Sequence, residues 1–192
     1  MKRIIYSIAA LFLVFSLSSC GYNSMVKLDE QVQSQWAQVQ NVYQRRADLI
    51  PNLVNTVKGA ANFEKETLTQ VIEARAKATS VQVDPTKLTP ESIEKFQAAQ
   101  GQLSQALGRL LVVTENYPDL KANANFQELQ AQIEGTENRI TVERQKFNEV
   151  TQEYNSKIRS FPNNLTAGIF GFQKKGYFAA DAASQKAPTV QF

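Results

Sequence analysis

Six charged residues stand where their side chains could do chemistry in a helical protein. Several fall within stripes of apolar residues that recur every three or four positions, and the six are Arg46, Asp48, Glu64, Arg75, Glu137 and Arg144. A charge in such a stripe must pair or move to the helix edge, because burying it alone is costly. We interpret the six as a layer of structural ion pairs, with a ligand-binding layer as the alternative.

The composition excludes much catalytic and metal chemistry. The chain has no His, which removes imidazole bases, His-containing triads and His metal sites. Its single Cys removes cysteine-cluster zinc sites and any internal disulfide. A Glu/Arg pair without an adjacent nucleophile and base is poorly suited to catalysis. We therefore expect no enzyme, no metal and no cofactor.

The N-terminus carries the pattern of an export signal. Lys2 and Arg3 precede an apolar run from Ile4 to Leu17, shorter than the roughly 20 residues that a spanning helix needs. The run ends in Leu17-Ser18-Ser19-Cys20, which resembles a bacterial lipobox. We expect residues 1–19 to be a lipoprotein signal peptide and Cys20 to receive the lipid. The alternative is a short uncleaved anchor that ends in an incidental Cys.

This interpretation places the protein outside the cytoplasm. Acyl chains on Cys20 would anchor it stably in a membrane. By resemblance to lipoprotein sorting, Gly21 in place of Asp favours the outer membrane, facing the periplasm, in a Gram-negative cell. Without Lys2 and Arg3, the 21 basic residues fall to 19 against 18 acidic ones, which gives no basic patch for nucleic acid.

Apolar residues recur at helical spacing through residues 22–160. Steps of three and four residues alternate, as in the seams of coiled coils and of helices packed nearly antiparallel. We predict an all-α fold, an antiparallel four-helix bundle in residues 20–160 with helices at about 22–47, 49–80, 90–117 and 124–160.

Local signals support most of these boundaries. Thr89 and Pro90 form an N-cap and a first helical position, and Asn123 or Asn125 can cap the fourth helix. A turn is expected at 48–51, with Asp48 as N-cap, because an unbroken first helix would leave half its apolar stripe exposed. A kinked continuous helix is the alternative.

The C-terminal tail, residues 161–192, changes character to glycine and aromatic residues. A solvated tail would not carry so many aromatic side chains. It either packs against its own bundle or forms an apolar surface for a membrane or protein partner. The residues of that candidate partner surface are Phe170, Phe172, Tyr177 and Phe178.

Several motifs along the chain resemble the LemA family. They are Gln44-Arg45-Arg46-Ala47-Asp48-Leu49-Ile50-Pro51-Asn52-Leu53-Val54, Tyr117-Pro118-Asp119-Leu120-Lys121-Ala122-Asn123, Glu137-Asn138-Arg139-Ile140, Phe161-Pro162-Asn163-Asn164-Leu165 and Phe170-Gly171-Phe172. The resemblance implies a small helical bundle held at the bacterial envelope by its N-terminus, without a settled enzymatic activity. Some relatives are associated with organising membranes, as in magnetosome formation. Many relatives look single-pass anchored, whereas this chain looks lipidated.

The expected function is a lipid-anchored envelope scaffold or adaptor. It would bind an unidentified envelope protein or a membrane surface, and a homo-oligomer is compatible with the unfilled apolar stripes. The alternative is a bundle that binds a small ligand in its core. The asparagines inside the motifs, among them Asn123, Asn148 and Asn155, are expected to serve as caps and buried amide hydrogen bonds.

Overall fold

The computed structural model describes residues 2–59 and 63–180, with side chains from residue 21 onward within those ranges. All regular structure in these ranges is helical, which confirms the predicted all-α class. The side chain of Cys20 and tail residues 181–192 lie outside the described part. The helices are α1 (Lys2–Lys58), α2 (Lys65–Ser80), α3 (Pro90–Thr114), α4 (Pro118–Lys121), α5 (Ala124–Arg159) and α6 (Asn163–Phe170).

Helices α1 and α5 form the long axis of the protein. From residue 21 onward α1 is roughly 57 Å long, and the 36 residues of α5 span about 54 Å. The Trp36 ring lies 5.5 Å from the Phe147 ring, and Arg46, further along α1, contacts Glu137, earlier in α5. The two helices are therefore antiparallel.

Helices α2 and α3 are shorter and pair with each other. They have 16 and 25 residues, against 57 for α1 and 36 for α5. The predicted second helix at about 49–80 is wrong, because α2 covers only Lys65–Ser80. Hydrogen bonds from Gln100 to the Ala78 carbonyl and from Arg109 to Gln70 show that α2 and α3 run antiparallel. Their shortness leaves part of the α1–α5 pair to be covered by other segments.

The predicted turn at 48–51 is wrong, because α1 passes through Pro51 without a break. Asp48 is not an N-cap; its carboxylate is exposed and accepts a 2.7 Å hydrogen bond from Gln44. Pro51 has no N–H to donate to the Ala47 carbonyl, one helical turn earlier. Arg75 Nε donates to that oxygen instead, at 2.7 Å. A tertiary hydrogen bond thus compensates for the local helix-breaking signal.

The predicted starts of α3 and α5 are confirmed. The Thr89 hydroxyl accepts the Ser92 N–H at 3.2 Å, and Pro90 occupies the first helical position. The Asn123 side chain caps α5 by accepting backbone N–H groups at 2.9 and 3.2 Å.

The buried apolar residues form two clusters along the long axis. The proximal core lies toward the N-terminal end of the described α1, and includes Met25, Val32, Trp36, Phe96, Phe147, Tyr154 and Phe178. The distal core lies toward the other end, and includes Ile50, Leu53, Val57, Leu68, Val71, Leu103, Leu110 and Ile133.

The tail completes the proximal core. After α6, Gly171 adopts the left-handed conformation at φ 76° and the chain turns back along α5 as an extended segment, residues 172–180. Phe178 is 4% exposed and packs among the rings of Trp36, Phe96 and Phe147. We call residues 172–180 the tail segment; it packs against its own helices.

Candidate functional site

A buried arginine lies at the junction of the two cores. Arg46 is 1% exposed, and its Nη1 donates to Glu137 Oε2 and Ser104 Oγ, both at 2.8 Å. Its Nη2 donates to the Gln100 side-chain oxygen at 2.7 Å and to the Gln100 carbonyl at 3.2 Å. We call Arg46, Gln100, Ser104 and Glu137 the arginine layer; it ties α1 to α3 and α5.

The arginine layer is buried at its Arg46 end and exposed to solvent at its Glu137 end. The Glu137 side chain is 47% exposed, whereas Arg46 is enclosed and lies 5.1 Å from the Tyr43 ring centroid. Arg46 Nε is buried without a hydrogen-bond partner. Because the Glu137 carboxylate remains partly hydrated, pairing it with the enclosed Arg46 costs little desolvation of the anion. The pair can therefore fix the register of the helices.

The other charged residues of the predicted layer lie elsewhere. Asp48 is exposed, and Glu64 lies just before α2, where it accepts a 3.4 Å hydrogen bond from Thr67. Arg75 bonds the Ala47 carbonyl as described. Arg144 donates to the Ala179 carbonyl at 2.8 Å and lies 5.1 Å from the Phe178 ring. Of the six, the structure therefore pairs Arg46 directly with Glu137 and places Arg144 in the lining of a cavity beside that pair.

Three side-chain amides hold the tail segment by its main chain. Asn155 bonds both the N–H and the C=O of Lys175, each at 2.9 Å. Asn148 bonds both the N–H and the C=O of Phe178, each at 2.9 Å. Gln97 bonds both the N–H and the C=O of Ala179, each at 3.0 Å. An amide offers one donor group and one acceptor, which matches the N–H and C=O of an extended residue. The tail segment is thus bound as a peptide in a groove of its own protein.

The groove fits closely around Gly176. The Gly176 N–H donates to the Leu88 carbonyl at 2.8 Å. A Cβ at this position would lie 2.7 Å from Pro90 Cα and 3.0 Å from the Thr89 oxygen, both backbone atoms. Only a residue without a side chain lets the tail segment pass the start of α3.

A second buried cation fixes the beginning of the tail segment. Lys175 is 5% exposed, and its Nζ lies 2.7 Å from Asp29 Oδ1 and 5.2 Å from the Tyr154 ring. The Tyr154 hydroxyl donates to the Gln173 carbonyl at 3.1 Å. Burial, and then the Asp29 carboxylate, raises the pKa of the Tyr154 phenol well above its ordinary value.

The predicted partner surface divides into exposed and buried residues. Phe170 is 61% exposed and Tyr177 39%, whereas Phe172 is half-buried and Phe178 belongs to the proximal core. No local sequence pattern distinguishes Gln97, Gln100, Ser104 or Lys175, because their partners are main-chain atoms or residues distant in sequence. For Asn155 the expected role in buried amide hydrogen bonds is confirmed, and Asn148 makes the same pair of hydrogen bonds from a half-buried position.

Within the described ranges, no three or more metal-ligating side chains cluster closely enough to hold an ion. In the same part of the chain, no helix combines the length and apolar character needed to cross a bilayer.

These features define a class of elongated all-helical proteins with an internal arginine layer and a self-bound tail. The chain belongs to the LemA family, whose sequence model matches residues 35–192. It is 27% identical over 145 residues to Protein LemA of Metamycoplasma hominis, covering 76% of this chain and 63% of the relative. It is 26% identical over 176 residues to the magnetosome protein MamQ of Magnetospirillum gryphiswaldense, covering 82% and 64%. The chain thus spans somewhat less than two thirds of each relative.

Proposed function

We propose that this LemA-family protein is a lipid-anchored, non-catalytic scaffold of the bacterial envelope that holds a protein partner close to a membrane. Cys20 carries the lipid, and the body faces the periplasm in a Gram-negative cell. One observation carries the proposal: α1 runs through residue 20 and into the body as one helix, with no linker between them. A body joined directly to its anchor is held close to the membrane surface.

The length and the internal hydrogen bonds of the helical domain are suited to a scaffold. The helices α1 and α5 give it a length of more than 50 Å by their rise per residue. The arginine layer and the tail segment tie neighbouring elements together by hydrogen bonds. A partner bound far from residue 21 would therefore be kept at a fixed height above the lipid.

Two exposed apolar places are available to a protein partner. Ile72 on α2 is 44% exposed and Val112 on α3 is 70% exposed, on the helices that cover the distal core. Tyr177, on the tail segment, is 39% exposed. Apolar side chains surrounded by polar residues are common at protein interfaces. The relative MamQ is a magnetosome protein, which is consistent with a role of this chain at a membrane-bound assembly.

The test has two parts, both on the full chain. The wild-type chain should carry the mass of a lipid on Cys20, and Cys20→Ala should lack it. A photo-crosslinking residue at Val112 or Tyr177 should form one defined adduct in native membranes, while the same residue at exposed Asn138 forms none. The scaffold hypothesis fails if the crosslinks are as diffuse at Val112 and Tyr177 as at Asn138.

A small-ligand function is the second candidate, favoured by one observation. A cavity of about 650 Å³ opens beside the arginine layer and is lined by Tyr43, Arg46, Gln105, Glu137 and Arg144. The lining has two arginines against one carboxylate, and this net positive charge suits a small anion. Equilibrium dialysis against a set of dicarboxylates and phosphates should detect binding that Arg46→Met abolishes; no binding above the variant would dismiss this candidate.

A further inference from the structure

An apolar patch is exposed on and around α6. Phe161 is 81% exposed, Leu165 61%, Ile169 80% and Phe170 61%, all within ten residues of the chain. These four residues are called the end patch. Large apolar side chains concentrated in this way on a surface are uncommon unless something covers them.

The end patch lies beside the residue that follows the anchor. A Cβ on Gly21 would lie 2.5 Å from the side-chain oxygen of Asn163, the first residue of α6. The Tyr22 ring lies 4.8 Å from the Phe170 ring and 5.8 Å from the Phe172 ring. The apolar N-terminal run and Cys20 therefore enter the body at the position where α6 exposes its apolar side chains.

The stretch of chain that carries the end patch has charges of one sign. From Tyr154 to Ala180 the chain contains Lys157, Arg159, Lys174 and Lys175 and no acidic residue. Lys175 is paired with Asp29, whereas Arg159 and Lys174 are exposed. Exposed basic residues next to apolar and aromatic side chains fit the interface of a bilayer with anionic headgroups.

We propose that the end patch docks on the surface of an anionic bilayer, with Phe161, Leu165, Ile169 and Phe170 in the interface and Arg159 and Lys174 toward the headgroups. This proposal rests on the membrane tether proposed above and deepens it. The lipid on Cys20 would keep the protein at the membrane, and the end patch would set its orientation. The long axis then points away from the bilayer.

The presence of a single Cys in the sequence makes a direct test practical. Cys20 is the single Cys, so in the lipidated full chain a new Cys is the one free thiol for an environment-sensitive fluorophore. We would label Ile169→Cys in the end patch, Glu30→Cys on the exposed side of α1, and Val112→Cys on α3. These sites are exposed, so none of the changes removes a core contact.

The labelled proteins are reconstituted in vesicles of phosphatidylethanolamine and phosphatidylglycerol that contain a lipid-borne quencher. Fluorescence at position 169 should be strongly quenched, and fluorescence at positions 30 and 112 should be unchanged. Replacing phosphatidylglycerol by phosphatidylcholine should reduce the quenching at position 169. Equal quenching at positions 169 and 30, or none at 169, would overturn the docking proposal.

The absence of the proposed lipid anchor would give a different experimental result. If Cys20 is not lipidated, it is labelled in the wild-type chain and the protein lacks the lipid mass. That outcome overturns the lipid anchor of the proposed function. Docking is then tested with the Cys20→Ala, Ile169→Cys protein mixed with the same vesicles. Quenching at position 169 would support docking without the anchor, and no quenching at saturating vesicle concentration would overturn docking.

Discussion

Arg75 donates a 2.7 Å hydrogen bond from Nε to the carbonyl oxygen of Ala47, one helical turn before Pro51. That carbonyl is the one that Pro51 leaves without its helical donor. The two residues are 28 positions apart, in α2 and α1. The bond explains how α1 remains one helix through a proline.

Arg75→Ala should lower the free energy of unfolding by about 1–3 kcal/mol, since it leaves the Ala47 carbonyl without this donor. In a Pro51→Ala background the same change should cost less, because the restored backbone N–H at position 51 can donate to that oxygen. Urea denaturation of the four proteins in this cycle measures the coupling. Exposed Arg109→Ala is the control, and equal costs in both backgrounds would contradict the compensation.

The arginine layer should respond unequally to loss of its two charges. Glu137→Ala leaves the enclosed Arg46 cation without its carboxylate and should cost roughly 3 kcal/mol. Arg46→Met should cost less, because the half-exposed Glu137 remains hydrated. Denaturant midpoints of both variants give the comparison. A larger cost for Arg46→Met would show that packing, and not the buried charge, dominates the layer.

Asn155→Leu should release the beginning of the tail segment. It removes both hydrogen bonds to the Lys175 main chain, and each buried group left unpaired costs about 1–3 kcal/mol. Hydrogen exchange of the Lys175 amide should accelerate by orders of magnitude compared with wild type. Asn138→Leu, at an exposed position of the same helix, should leave the exchange unchanged. Unchanged protection in Asn155→Leu would mean that the amide does not hold the segment.

Two glycines make a matched pair for the close fit of the groove. Gly176→Ala places a Cβ against backbone atoms of Pro90 and should destabilise the protein by about 1–3 kcal/mol. Gly135→Ala, in α5 with no atom within 4 Å of the new Cβ, should stabilise by up to about 1 kcal/mol through helix propensity. Thermal unfolding distinguishes them, and shifts of the same sign would refute the close approach.

The raised pKa of Tyr154 predicts a loss of stability at alkaline pH. The ordinary tyrosine value is 10.0, and the folded protein keeps the phenol neutral to higher pH. Its contribution is complete below pH 10.0, and it is lost as pH rises further, because ionisation then favours the unfolded chain. Tyr154→Phe should make this decline shallower, measured by urea titration at successive pH values. Tyr177→Phe is the exposed control, and a matching effect there would argue against burial as the cause.

Signals local to the chain predicted the fold well. The caps at Thr89 and Asn123 are where the sequence puts them, because each depends on a few neighbouring residues. The break at Pro51 was wrongly predicted because the compensating donor, Arg75, belongs to another helix. The length of α2 was also mispredicted, since that helix begins only at Lys65.

The candidate site was predictable in its residue types and not in its pairings. Helical stripes identified Arg46 and Glu137, but the 91 positions between them carry no signal that joins them. The contacts in the groove that holds the tail segment were still less predictable. Gln97, Asn148 and Asn155 bond to main-chain atoms, which are the same in every residue, so the side chains of the tail segment do not reveal these contacts.

The burial of Phe178 also determines when the protein can finish folding. Synthesis proceeds from the N-terminus, so all of α1 to α6 emerges before the ring that fills the space between Trp36 and Phe147. The proximal core is therefore incomplete until after α6 has been translated. Until then the nascent chain holds Trp36, Phe96 and Phe147 without the ring that packs among them.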